Sequence, residues 1–196
     1  EIASCLVGSE MCIRDSPNEE PIKGIKKMKQ TDNFKFDEAN VMNELVYRNL
    51  SEDEKRQICA WKYGGEYDLY NLPAYEEMQV RQIGFMNPKS EKNYYGFWDE
   101  SILVGFVNIL EEKEEIFIGI GVNPDLCNKH YGQRMLLITY EISKKLYPNK
   151  PLYLEVRTWN IRAVKCYQKA GFRIDGQAYE LTTGIGTGTF YRMIRE

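Results

Sequence analysis

The sequence predicts an α/β domain on a central sheet of mixed, mostly antiparallel direction, with about six to seven strands and about four flanking helices. Three observations carry that prediction. Three apolar, strand-like runs follow one another between Tyr94 and Asn123 with short polar connections, which is the pattern of an antiparallel meander. Two strand-loop-helix units come next, IGIGVNPDLCNKHYGQRMLL and LYLEVRTWNIRAVKCYQKAGFR, and strands that alternate with helices belong to an α/β sheet. The chain has 196 residues, 43% of them hydrophobic, which suits one domain with a sizeable core and a tail.

The elements can be justified in order. Glu44 to Leu50 reads as a strand. It leads into SEDEKRQICAW, where Ser51 and Glu54 form a capping box ahead of Ile58. An aromatic loop, Trp61 to Pro73, precedes a short helix around Ala74 to Ile83, and Asn87-Pro88 breaks the chain. The meander strands are Tyr94 to Asp99, Ile102 to Leu110 and Glu115 to Asn123. A helix then runs from about Gly132 to Leu146, with an apolar stripe of Met135, Ile138, Ile142 and Leu146, and Pro148 stops it. Leu152 to Arg157 is a strand. A helix from about Asn160 to Ala170 has Gly171 placed for its C-cap. Two closing strands, near Phe172 to Leu181 and Thr189 to Ile194, flank TTGIGTG. No helix follows that glycine-rich run, so it reads as a flexible turn and not as a phosphate loop.

Composition excludes several classes. Formal net charge is −3, from 26 basic and 29 acidic residues, and no basic stripe suits a nucleic-acid backbone. No apolar run is long enough to span a bilayer. The five cysteines are odd in number and scattered, and His130 is the single histidine. That usage points to reduced thiols in a cytoplasmic protein and to no metal.

Two segments carry chemistry. In IGIGVNPDLCNKHYGQRMLL a strand hands over through a loop to a helix, which offers unpaired N–H groups and the positive end of a helix dipole to an anion such as a diphosphate. In LYLEVRTWNIRAVKCYQKAGFR, Asn160 and Tyr167 are seven apart and share a helix face. LEVRTWNIRAVKCYQKAGF resembles the LEVR-x-x-N-x-x-A-x-x-x-Y-x-x-x-GF block of the GCN5-related N-acetyltransferase (GNAT) superfamily, in wording nearest the ribosomal-protein alanine N-acetyltransferase branch. The first segment resembles that superfamily's pyrophosphate loop, Q/R-x-x-G-x-G/A, in altered form. Cys127 stands for the usual Gln or Arg, His130 replaces the first glycine, Asn128 takes a place that is often glycine, and only Gly132 matches.

The resemblance implies an N-acetyltransferase on the GNAT fold that moves an acetyl group from acetyl-CoA to a primary amine, either a small molecule or a protein N-terminus. It implies no nucleic-acid or membrane partner and leaves a homodimer open. Ile120, Gly121 and Val122 would pair by their backbone with the pantetheine arm. Asn128, Lys129, His130, Tyr131, Gly132 and Gln133 would wrap the pyrophosphate, Lys129 adding a point charge. Asn128 adopts the left-handed region easily, whereas His130 there would be strained or would shift the turn. Asn160 would anchor the cofactor, Tyr167 would be general acid toward the departing thiolate, and Glu155 general base toward the amine.

Blander readings stand beside these. Alternation puts Glu155 and Arg157 on one strand face, so a structural ion pair competes with the base role. Tyr167 alone would suit a core position, and Trp61, Tyr63, Tyr67 and Tyr70 suit either an acceptor wall or ordinary packing. A non-catalytic acyl-CoA-binding module is the rival function. Finally, LVGSEMCIRDS, Leu6 to Ser16, resembles a translated sequencing-library adapter. Residues 1–16 are therefore expected to be a non-native artefact, 17–42 a tail or linker and 43–196 the acyltransferase domain, with Met42 or Met28 as the start.

Overall fold

Near-continuous apolar runs in the second half of the meander, Ile102 to Leu110 and Ile116 to Val122, set the frame, because these strands bury both faces. A computed structural model of the chain describes residues 45–196 and, ahead of them, two paired strands, β1 (Cys5–Leu6) and β2 (Met11–Cys12). The expected artefact and tail otherwise lie outside the described residues. The main sheet contains β3 (Val46–Asn49), β4 (Tyr94–Asp99), β5 (Ile102–Glu111), β6 (Ile116–Val122), β7 (Leu152–Arg157), β8 (Arg173–Ile174), β9 (Tyr179–Thr183) and β10 (Gly186–Arg195). Its order is β3-β4-β5-β6-β7-β10-β8, and β9 also pairs with β10. Every pairing is antiparallel except β6 with β7.

The four helices are α1 (Glu52–Cys59), α2 (Tyr75–Arg81), α3 (Tyr131–Leu146) and α4 (Ile161–Lys169). The Ser51 N–H donates to Glu54 Oε2 at 2.8 Å, closing the expected capping box on α1. α4 ends in a Schellman turn: Phe172 N–H reaches Tyr167 O, Gly171 N–H reaches Gln168 O, and Gly171 takes φ +86°. None of the helices is long and apolar enough to cross a membrane, among the described residues.

Two details differ from the sequence reading. The strand expected near Phe172 to Leu181 is two strands, because the chain turns at Gly176, φ +77°. That division gives eight strands. The buried stripe of α3 is Gly132, Met135, Leu136, Thr139, Ile142 and Ser143, while Leu146 is exposed. Small polar residues sit where the helix lies closest to the sheet, so the stripe is turned from the one that apolar residues alone outline.

The sheet separates two cores. On one face Val107, Ile109, Ile118, Leu152, Leu154 and Val156 pack against α3 and α4. On the other, Phe106, Leu103 and Trp98 meet α1, the aromatic loop, α2 and the turn after it through Ile58, Tyr70, Met78 and Phe85. Leu110, Phe117 and Tyr153 form a smaller cluster on that second face.

Candidate active site

β6 is held to β5 by seven register pairs, but to β7 by only two, Ile116↔Leu152 and Phe117↔Tyr153. Beyond them the strands diverge and the sheet opens. Two close approaches fix the shape of this opening. A Cβ on Gly105 would lie 2.5 Å from the Gly121 carbonyl oxygen, and one on Gly121 would lie 2.5 Å from the Phe106 ring. Glycine is therefore required at both positions by space. Tyr63 of the aromatic loop reaches across and donates its O–H to the Val122 carbonyl at 2.5 Å. Burial pushes its phenol pKa well up, so it stays a donor.

After β6 the chain turns under an Asn123 cap, whose Oδ1 accepts the Asp125 N–H at 3.1 Å. A short 3₁₀ turn, Pro124–Leu126, leads into Asn128 and His130, which both adopt left-handed φ, 65° and 64°. His130 is the N-cap of α3. The glycine-type geometry is thus adopted without glycine, and His130 takes the strained left-handed conformation. Tyr131 O–H donates to Asp99 at 2.8 Å, and Arg134 lies 3.6 Å from the same carboxylate, which pins the first turn of α3 to the end of β4.

A cleft of about 280 Å³ lies between this loop, the opened strands and α4. Ile120, Val122, Asn128, His130, Tyr131, Gly132, Gln133 and Tyr167 line it, whereas Lys129 is exposed and outside the lining. The cations on its wall are instead Arg162, Lys165 and Lys169. Their spacing of three and then four residues puts them on one stripe of α4. Sequence reasoning missed this row, although the spacing was available to find it. The loop geometry, the α3 N-terminus and these cations together fit a diphosphate.

Cys127 and Cys166 also line the cleft. Burial raises the Cys127 thiol and pushes that of Cys166 up to about 11, so both are neutral near pH 7 and are poor nucleophiles. Gly132 lets the helices approach here, since a Cβ would sit 3.1 Å from Cys166 Sγ.

Tyr167 is 2% exposed and reaches the cleft from the α3/α4 face of the sheet. Glu155, 4% exposed, belongs to the other face, and its Oε1 accepts the Tyr179 O–H at 2.7 Å. The guanidinium of Arg157 donates to the Gly186 and Thr187 carbonyls, at 3.3 and 3.4 Å, and lies over Phe190. The β9–β10 hairpin therefore roofs Glu155 and Arg157.

Asn160 does not line the cleft. Its Oδ1 caps α4 at Ala163 N–H, 3.2 Å, and its Nδ2 donates to Tyr70 Oη at 3.3 Å. The aromatic stretch divides between roles. Trp61 packs on Phe106, Tyr63 enters the cleft, and Tyr67 and Tyr70 stack about Trp159 with centroids 5.6 and 5.9 Å away. Arg162 lies 4.1 Å from the Tyr67 ring centre, joining that cluster to the cleft.

No curated protein matches the chain. Solved structures share its fold. A chimera of the Vibrio cholerae spermidine N-acetyltransferase SpeG with hSSAT is 20% identical, with TM-score 0.62, over 77% of this chain and 94% of that one. A GNAT-family acetyltransferase from Bacillus anthracis is 16% identical, with TM-score 0.60, over 76% and 93%. AAC(6')-Ib in complex with ribostamycin and coenzyme A is 18% identical, with TM-score 0.58, over 77% and 92%. The family model described as acetyltransferase (GNAT) family matches residues 57–172, from α1 through the Schellman turn of α4. With that match across the divergent strands, the phosphate-type loop and α4, the chain belongs to the GNAT acetyltransferase family.

Proposed function

We propose that the chain is an N-acetyltransferase that moves an acetyl group from acetyl-CoA directly to a primary amine within a ternary complex. The observation that supports it most is the placement of Tyr167 and Glu155 on opposite faces of the sheet at the point where β6 and β7 part. A thioester held in the cleft meets Tyr167 from the α3/α4 side, while an amine from the other face meets Glu155.

The roles follow from the chemistry. The new C–N bond forms at the acetyl carbon as the C–S bond breaks. Glu155 takes the proton that the amine must lose, and the Tyr167 O–H supplies one to the departing thiolate without itself needing to ionise first. Neutral Cys127 and Cys166 offer no thiolate for an acyl-enzyme, which favours direct transfer. The left-handed loop and the α4 cations hold the diphosphate, and β6 offers its backbone edge to the pantetheine arm.

The acceptor is a primary amine. A polyamine and an amino sugar are supported as classes by the spermidine and ribostamycin named with related folds, and a protein N-terminus by the wording of the LEVR block. The test is calorimetric titration with acetyl-CoA, followed by coenzyme A release across a panel of primary amines. Saturable binding and amine-dependent release are expected, and no binding of acetyl-CoA would overturn the reading.

A further inference from the structure

Besides Arg157, whose guanidinium is taken up by the hairpin carbonyls, the sheet face that carries Glu155 holds a buried polar side chain that the reaction above does not use. Asn108 lies in the middle of β5, is 3% exposed, and its Oδ1 has no hydrogen-bond partner among the described residues. A buried amide oxygen left unpaired is costly, and native folds rarely keep one without a reason.

Its place in the register gives the reason. The β5/β6 ladder pairs Phe106 with Gly121, Asn108 with Gly119 and Leu110 with Phe117, all on the face away from α3 and α4. The Phe106 ring covers Gly121. Gly119, the next glycine of that row, puts no side chain beside Asn108. Tyr153 is the last β7 residue paired with β6, and Glu155 follows it by two, so Glu155 lies on the same face across the strand opening. Asn108, Gly119 and Glu155 thus share one face in a row, an oxygen acceptor on β5 and a carboxylate on β7 with a glycine on the strand between them.

We propose that Asn108 is an acceptor-binding residue, its Oδ1 taking one N–H of the substrate amine while Glu155 takes the other. This rests on the acetyl-transfer reading and deepens it, because it sets the substrate class. A neutral primary amine has two N–H donors and one lone pair. With both donors engaged across the row, the lone pair is left for the acetyl carbon. A secondary amine has one donor, so it leaves the buried Asn108 oxygen unpaired and binds its transition state more weakly.

The test uses the full chain with acetyl-CoA and three probe amines, 1,4-diaminobutane, benzylamine and a tripeptide with N-terminal alanine, each beside the N-methyl counterpart in which every amine is secondary (N,N'-dimethyl for the diamine). For whichever probe turns over, the wild type is expected to prefer the primary amine by about tenfold or more in kcat/KM, the range set by one unpaired buried acceptor. Asn108→Leu keeps the branched outline, at a somewhat larger volume, and removes the acceptor. It should lower kcat/KM for the primary amine by a similar factor, leave the N-methyl amine and the KM for acetyl-CoA unchanged, and keep or raise Tm, since an apolar side chain suits this site. Asn108→Ala is the second variant, should Leu not fold, and should show the same loss on the primary amine. An unchanged preference in the variants, or none in the wild type, would overturn the proposal while leaving acetyl transfer standing. Absence of turnover on every probe, with acetyl-CoA bound, would overturn both.

Discussion

At Tyr167 the fold supplies what a proton donor needs: a buried hydroxyl on a helix pinned at both ends, by Asn160 at its start and by the Gly171 turn at its end. Tyr167→Phe should lower kcat by about 100-fold, the scale of one positioned acid, with acetyl-CoA affinity unchanged; steady-state kinetics beside calorimetry checks both. The cleft thiols give a pH-dependent readout. Folding raises their pKa values, to about 11 for Cys166, so the neutral form is favoured in the native state. That contribution to stability is whole below the ordinary thiol pKa of about 8.5 and is lost as pH rises toward the folded value. Alkylation by iodoacetamide at pH 8, followed by mass spectrometry, should be slow at Cys166 in the native chain, quicken toward pH 11, and be fast in urea at any of these values.

At the scale of elements, the loop before α3 trades stability for shape. Its two left-handed residues, Asn128 and His130, hold strain of about 1 kcal/mol or more for the histidine, while glycine there would add about 0.4–1 kcal/mol of unfolded-state entropy. His130→Gly should therefore be neutral to stabilising, by up to a few degrees in Tm by calorimetric scanning. The β5/β6 ladder has the opposite sensitivity. Gly105→Ala places a Cβ against the backbone oxygen of Gly121, which cannot swing aside, so a loss toward the top of the usual 1–3 kcal/mol or so is expected in urea unfolding. Gly64→Ala, with nothing within 4 Å, is the control and should stay within about 0.5 kcal/mol.

These elements also show what a sequence can and cannot disclose. The α1 capping box, the α4 motif and the glycine after it are local, so residue spacing alone places them. The cation row Arg162, Lys165 and Lys169 is equally local, whereas Lys129, inside the loop itself, is exposed and outside the cleft lining. The roof that β9–β10 makes over Glu155 was not legible. It depends on Gly176 turning the chain and on Arg157 reaching the hairpin carbonyls thirty or so residues away, contacts that no short window contains. The place of Gly119 is similar, since only the β5/β6 register sets it beside Asn108.

Over the whole molecule, binding should appear as stabilisation by mass action. Acetyl-CoA at one hundred times its Kd would add about 2.7 kcal/mol, visible as a raised Tm. The paired reversal Lys165→Glu with Lys169→Glu should remove most of that gain at low salt and less of it at high salt, where the cation row is already screened. The divergence of β6 from β7 has a further consequence, for cooperativity. Residues 46–122 hold one contiguous set of antiparallel strands and residues 152–195 another, joined by two register pairs and by the shared core under α3 and α4. Native-state hydrogen exchange should then resolve two protection classes with different opening free energies, one on each side of the seam, which acetyl-CoA merges into one by stapling them. In that sense the substrate completes the sheet, and the folded chain without it is two foldons sharing a hem.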